Sequence, residues 1–180
     1  MYHGWRSFFL IFLWLLACVL LALAAVRLHY TLNLPRGDPL NGGKNFFDPI
    51  VIELIAVSGL AIIWIPWIFH IIHKRREGRR RYNYTHLVIG LSILFLAFLA
   101  GAIISTHYWG DISYCWQYRQ CRMLTAMLGV AWSATIISLI LLVMELHYVS
   151  RHRAWGHPMH GRYDPSKFNI SNYLPGRRRY

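Results

Sequence analysis

The chain has 180 residues, 56% of them apolar and 16% aromatic, and a formal net charge of +12. In a soluble protein that charge points to nucleic acid. Here it sits mainly in two blocks beside apolar stretches, with no aromatic-plus-basic module outside them, so anionic lipid headgroups are the nearer partner and nucleic acid is excluded. The longest connection between apolar stretches is about 20 residues, which leaves room for one domain only.

Four apolar stretches run roughly 8–28, 49–73, 86–106 and 123–147. Each is long enough to cross a hydrocarbon core of about 30 Å, which takes roughly 20 helical residues. The expected fold is all-α: an integral membrane four-helix bundle over residues 1–149, followed by a basic tail, 150–180.

The first stretch follows Trp5 and Arg6 and ends at Arg27-Leu28-His29-Tyr30. Both flanks read as interface residues, with rings at headgroup level and basic side chains that snorkel. Arg6 before an apolar run resembles a signal peptide, and Ala22, Ala24 and Ala25 mimic its cleavage site. The run exceeds a typical signal core, so the first helix is expected to be retained. Cys18 within it reads as a small apolar filler.

Pro35, Gly37, Asp38, Pro39, Gly42 and Gly43 mark an irregular loop. Asp48 is placed to cap the second helix, with Pro49 at its first position. Pro66 removes the donor that the Ile62 carbonyl would otherwise use, which predicts a bend. Lys74, Arg75, Arg76, Arg79, Arg80 and Arg81 follow; they read as a topology signal and as a contact for anionic lipid. The tail lacks helical periodicity and reads as disordered or surface-lying.

Lys and Arg number 14 on the side holding both termini and five on the other. The positive-inside rule therefore predicts cytoplasmic termini. The sequons at Asn83 and Asn169 would then face the cytoplasm and stay unmodified.

Glu53 and Glu145 are the carboxylates within the apolar stretches, at opposite membrane faces, so they cannot form one acid–base pair. Intramembrane ionisable residues are functional hypotheses by default. The plainer expectation is that Glu53 is protonated or hydrogen-bonded in the bundle and that Glu145 reaches the basic interface. Ser58, Ser92, Thr135 and Ser138 are sparse stepping stones for a relay between them. Cys115 and Cys121 are placed for a disulfide in an oxidising compartment, the alternative being two free thiols. Ala97, Gly101 and Ser105, and separately Gly129 and Ser133, recur at four-residue spacing, which suits close helix packing or self-association.

Two histidine pairs, His29 with His107 and His70 with His147, raise a bis-histidine haem and electron transfer as an alternative function. They lie near the headgroup boundary, where imidazoles also serve as polar ends. A third reading is an accessory subunit or small transporter built around Glu53. No zinc spacing, phosphate loop or catalytic triad is present, so no cofactor, metal site or catalytic residue is expected.

Three stretches together resemble the MARVEL-domain proteins, particularly those of fungi. They are Asp48-Pro49-Ile50-Val51-Ile52-Glu53-Leu54-Ile55 with Trp64-Ile65-Pro66, then Leu99-Ala100-Gly101-Ala102 through Trp109-Gly110-Asp111 to Cys115 and Cys121, and Ala131-Trp132. The likeness covers roughly 5–149; the histidine richness and basic tail depart from it. It implies an M-shaped bundle at the plasma membrane or an endomembrane that organises lipid or protein domains, with lipids and a second copy or another membrane protein as partners. It implies no catalysis.

Overall fold

The computed structural model describes residues 2–34, 44–73, 83–109, 118–152 and 155. Among these it holds four helices: α1 (Tyr2–Leu32), α2 (Pro49–His73), α3 (Tyr84–Trp109) and α4 (Arg119–His152). Each is long and apolar enough to cross a membrane. At 1.5 Å per residue they extend roughly 37–51 Å, beyond a hydrocarbon core of about 30 Å. α1, α3 and α4 outrun their apolar stretches, whereas α2 matches its own. Thus α4 continues through Ser150 to His152, into what the sequence reads as tail.

Asp48 caps α2 as the sequence predicts: the Ile50 backbone N–H donates to its Oδ1 at 3.3 Å. Pro49 follows as the first helical residue, where its missing N–H leaves no bond unmade.

The helices form a ring in chain order, with α1 against α2 and α4, and α3 against α2 and α4. The thinnest seam is between α2 and α3. The start of α1, the end of α2, the start of α3 and the end of α4 share one end of the bundle.

A 3.5-residue repeat organises the interior. In α1 the buried positions are Arg6, Leu10, Leu13, Ala17, Leu20, Ala24, Arg27 and Thr31, and Leu34 just beyond the helix is buried too. In α3, Tyr84, Leu87, Leu91, Leu94, Phe98, Gly101 and Ser105 follow the same alternation of three and four. Leu124, Met127, Ala131, Ala134, Ser138, Leu141 and Glu145 continue it in α4. That repeat keeps one seam facing its neighbours and belongs to left-handed bundle packing. Ile11, Leu60, Ile63, Leu96, Ile103, Ile136 and Val143 are among the apolar side chains that stay exposed on the outside.

Candidate functional site

Polar side chains gather at both ends of the bundle, and the two ends are built differently. At the end holding the start of α1, Arg6 and Glu145 are 2% and 1% exposed, with Arg6 Nε 3.7 Å from Glu145 Oε1. Arg6 Nη1 also donates to the Tyr84 hydroxyl at 3.4 Å, and its guanidinium carbon lies 6.0 Å from the Tyr84 ring centre. Tyr148 packs beside Tyr84 at 5.4 Å between ring centroids. Residues of α1, α3 and α4 are thereby tied in one knot. Burying either charge alone costs several kcal/mol, so the pair holds together because each supplies the other's counter-charge. Two expectations are corrected here. Arg6 turns inward rather than snorkelling outward, and Glu145 meets its basic partner inside the bundle rather than on its surface. Both fall in phase with the 3.5-residue repeat, and that phase places them inside.

At the other end, Arg27 and Asp48 are buried, and Asp48 faces the Arg27 charge. Burial pushes the Asp48 carboxyl above its ordinary value of 3.8, against the opposing pull of the Ile50 N–H and Arg27. Glu53 stands one turn into α2, off the buried seam and partly buried. Its carboxylate lies over Gly101 of α3: a methyl group at 101 would sit 3.1 and 3.3 Å from its oxygens and 2.9 Å from Leu54 Cδ2. Gly101 is therefore what lets the helices meet at this carboxylate. Glu53 and Asp48 also line a cavity of about 520 Å³ between the start of α2 and the end of α3, with Phe46, Phe47, Tyr108 and Trp109 around them.

Between the ends, the helices satisfy their own irregularities. α2 runs through Pro66, and the carbonyl of Ile62 that Pro66 leaves without a donor accepts from Trp14 Nε1 of α1 at 3.3 Å. A neighbouring helix thus repairs the gap that the sequence predicts. Ser58, Ser92 and Thr135 each donate to the carbonyl four residues back, and Ser138 to the one three back. Each of those hydroxyl protons is held by its own helix. Trp132 Nε1 donates to Thr106 Oγ1 at 2.9 Å, joining α4 to α3.

The remaining residues of interest divide. On α3, Gly101 and Ser105 are buried and Ala97 packs against the core. On α4, Gly129 and Ser133 face outward, with no atom within 4 Å of a methyl group placed at Gly129. The same four-residue spacing therefore serves the interior in one helix and the exterior in the other. A further glycine is used where sequence spacing gave no hint: the Trp64 indole of α2 occupies the space a side chain at Gly90 would need. His29, His107, His70 and His147 are all exposed, and each haem pair spans helices diagonally opposite in the ring, so the bundle does not bring them together. Cys18 is a free thiol, whereas Cys121 at the start of α4 is not. Cys115 and the basic residues Lys74, Arg75, Arg76, Arg79, Arg80 and Arg81 lie outside the described residues. Thr85 Oγ1 donates to the Trp155 carbonyl at 2.5 Å, which places Trp155 against the start of α3.

No family model matches this chain, and no curated protein or solved structure matches it either.

Proposed function

We propose that this chain is a non-enzymatic, MARVEL-like membrane protein with cytoplasmic termini that organises the lipid around it. The observation that carries this reading is the division of side chains. The outside of the helices is rich in exposed aliphatic and aromatic residues, whereas Arg6, Arg27, Asp48 and Glu145 are buried, Arg6 and Glu145 in an ion pair that joins α1 to α4. Such a body is solvated by lipid, and its buried charges serve its own assembly. The orientation gains support from the Asn83 sequon, whose Tyr84 is buried in the Arg6 knot and whose Thr85 hydroxyl is engaged by Trp155. That end is poorly suited to glycosylation and well suited to the cytoplasm. The MARVEL resemblance rests on the sequence stretches alone.

In this reading Lys74, Arg75, Arg76, Arg79, Arg80 and Arg81 collect anionic lipid, each worth about 1 kcal/mol near the surface. Cys115 pairs with Cys121 and shapes the loop before α4, adding about 2 kcal/mol on the chain-entropy estimate. The outward stripe of Gly129 and Ser133 is the face for a second copy or another membrane protein.

The test is reconstitution into giant vesicles of neutral lipid containing a minor fluorescent anionic lipid. The protein is expected to concentrate that lipid around itself in low salt. Replacing the six basic residues with Gln should abolish the enrichment. Equal enrichment by both proteins, or none by either, overturns the reading. The accessory-subunit or transporter reading rests on Glu53, which lines a cavity.

A further inference from the structure

We propose that the cavity between the start of α2 and the end of α3 binds an organic ammonium headgroup of the choline type. Glu53 supplies the counter-charge, and Phe46, Phe47, Tyr108 and Trp109 supply the aromatic walls. This goes beyond the lipid-organising reading: it requires the bundle to lie in a membrane but does not depend on the basic loop.

Three observations carry it. The first is the lining. Four aromatic rings and two carboxyl groups surround about 520 Å³, within the range of small-molecule sites. Phe47 and Tyr108 are 63% and 68% exposed, so their rings form an open rim. The second is the division of labour between the carboxyl groups. Asp48 is committed: it caps α2 through the Ile50 N–H and faces the Arg27 charge. Glu53 is not, for among the described residues no hydrogen bond or ion pair reaches it. The third is how Glu53 is held. Gly101 leaves the space in which its carboxylate lies against α3, which places the carboxylate at the cavity wall.

This chemistry selects among cations. A calcium or magnesium ion takes six or more oxygen ligands, and the cavity offers one uncommitted carboxylate among hydrocarbon. A quaternary ammonium takes the opposite arrangement, with aromatic faces around the charge and few donors. It also has no N–H group to leave unsatisfied in an apolar wall. In the proposed orientation the cavity opens toward the leaflet opposite the anionic cytoplasmic one. The ammonium can arrive there as a choline lipid or as a free solute, and both present the same group.

The experiment uses the full chain in nanodiscs, with spin-labelled phosphatidylcholine and spin-labelled phosphatidylglycerol as probes and tetramethylammonium as competitor. The expected result is that the protein immobilises the choline label about threefold or more over the glycerol label. Glu53→Gln and Tyr108→Leu should each bring the ratio near one. Tyr108 is on the exposed rim, so its replacement leaves the helix contacts in place if Glu53→Gln fails to fold. Competition by tetramethylammonium shows that free ammonium enters; a choline preference without competition shows delivery by lipid, and both support the site. Equal immobilisation of the two labels, or a preference that survives both substitutions, overturns it. Because the readout compares choline with glycerol lipid, failure of anionic-lipid enrichment at the basic loop leaves the result unaffected.

Discussion

The two ends of the bundle use similar residue types for opposite ends. At one end Arg6, Glu145, Tyr84 and Tyr148 close on one another across α1, α3 and α4. At the other, Arg27 of α1 and Asp48 at the start of α2 are buried within reach of each other's charge but do not close into an ion pair, and Glu53 is left beside a cavity at the thinnest seam. The difference is geometric. Glu145 occupies a position of the 3.5-residue repeat, so the helix rotation that buries its neighbours also carries it inside. Glu53 precedes the buried Leu54, so its carboxylate falls on the flank of α2. A charge in phase with the seam becomes part of the assembly. A charge one position off it remains available to something else.

The sharpest way to break this comparison is to open the closed end. Glu145→Leu leaves Arg6 buried without its carboxylate and should cost about 3–5 kcal/mol. Thermal unfolding in detergent would read this as a large fall in midpoint. Adding Arg6→Met should recover most of it, because two matched apolar groups replace a broken pair. No recovery would mean that the pair is not the unit of stability.

A smaller effect is expected at mid-bundle. Trp14→Phe removes the donor to the Ile62 carbonyl and should cost about 1–3 kcal/mol, the range for a buried acceptor left unmade. In a Pro66→Ala background the helix regains its own N–H donor, and the cost should shrink to the packing change alone. The double-mutant cycle measures that coupling; additive effects would show that Trp14 does not repair the proline gap.

The smallest effect belongs to the open end. Folding raises the Asp48 pKa, so its protonated form is the one the fold favours. The associated stability is fully present below the ordinary value of 3.8 and is lost as pH rises through the folded value. Asp48→Asn keeps a capping side chain and removes the titration. The variant should therefore show a flatter stability profile from pH 4 upward, with a change at neutral pH within about 1 kcal/mol. The difference between the two unfolding profiles isolates this carboxyl from the histidines. A variant profile parallel to that of the parent would remove Asp48 from the pH response.

Much of the fold was legible because it is local. The apolar stretch at 49–73 became α2 with the same bounds, and its cap and its proline gap are both visible in the structure. The site was less legible because the interior and exterior of a membrane bundle are equally apolar, so hydropathy has no phase. Arg6 looked like a boundary charge by its place before the run. Its inward direction was readable only from its register with Leu10, Leu13 and Ala17. The small residues show the same limit: Gly101 and Gly129 sit in similar stripes, and one faces a carboxylate while the other faces outward.

The sequence by itself determined the four helices, among the described residues, that are long and apolar enough to cross a membrane, where α2 begins, and that Pro66 would strand a carbonyl. Run length, capping and proline geometry act within a few residues of one another. Only the tertiary structure decided that Glu145 lies beside Arg6 and Tyr84, that Trp14 answers Pro66, and that Gly101 makes room for Glu53. Those choices depend on the rotation of each helix about its axis and on which helices are neighbours. The register within one stretch hints at the first, but which helices are neighbours is written in no single stretch.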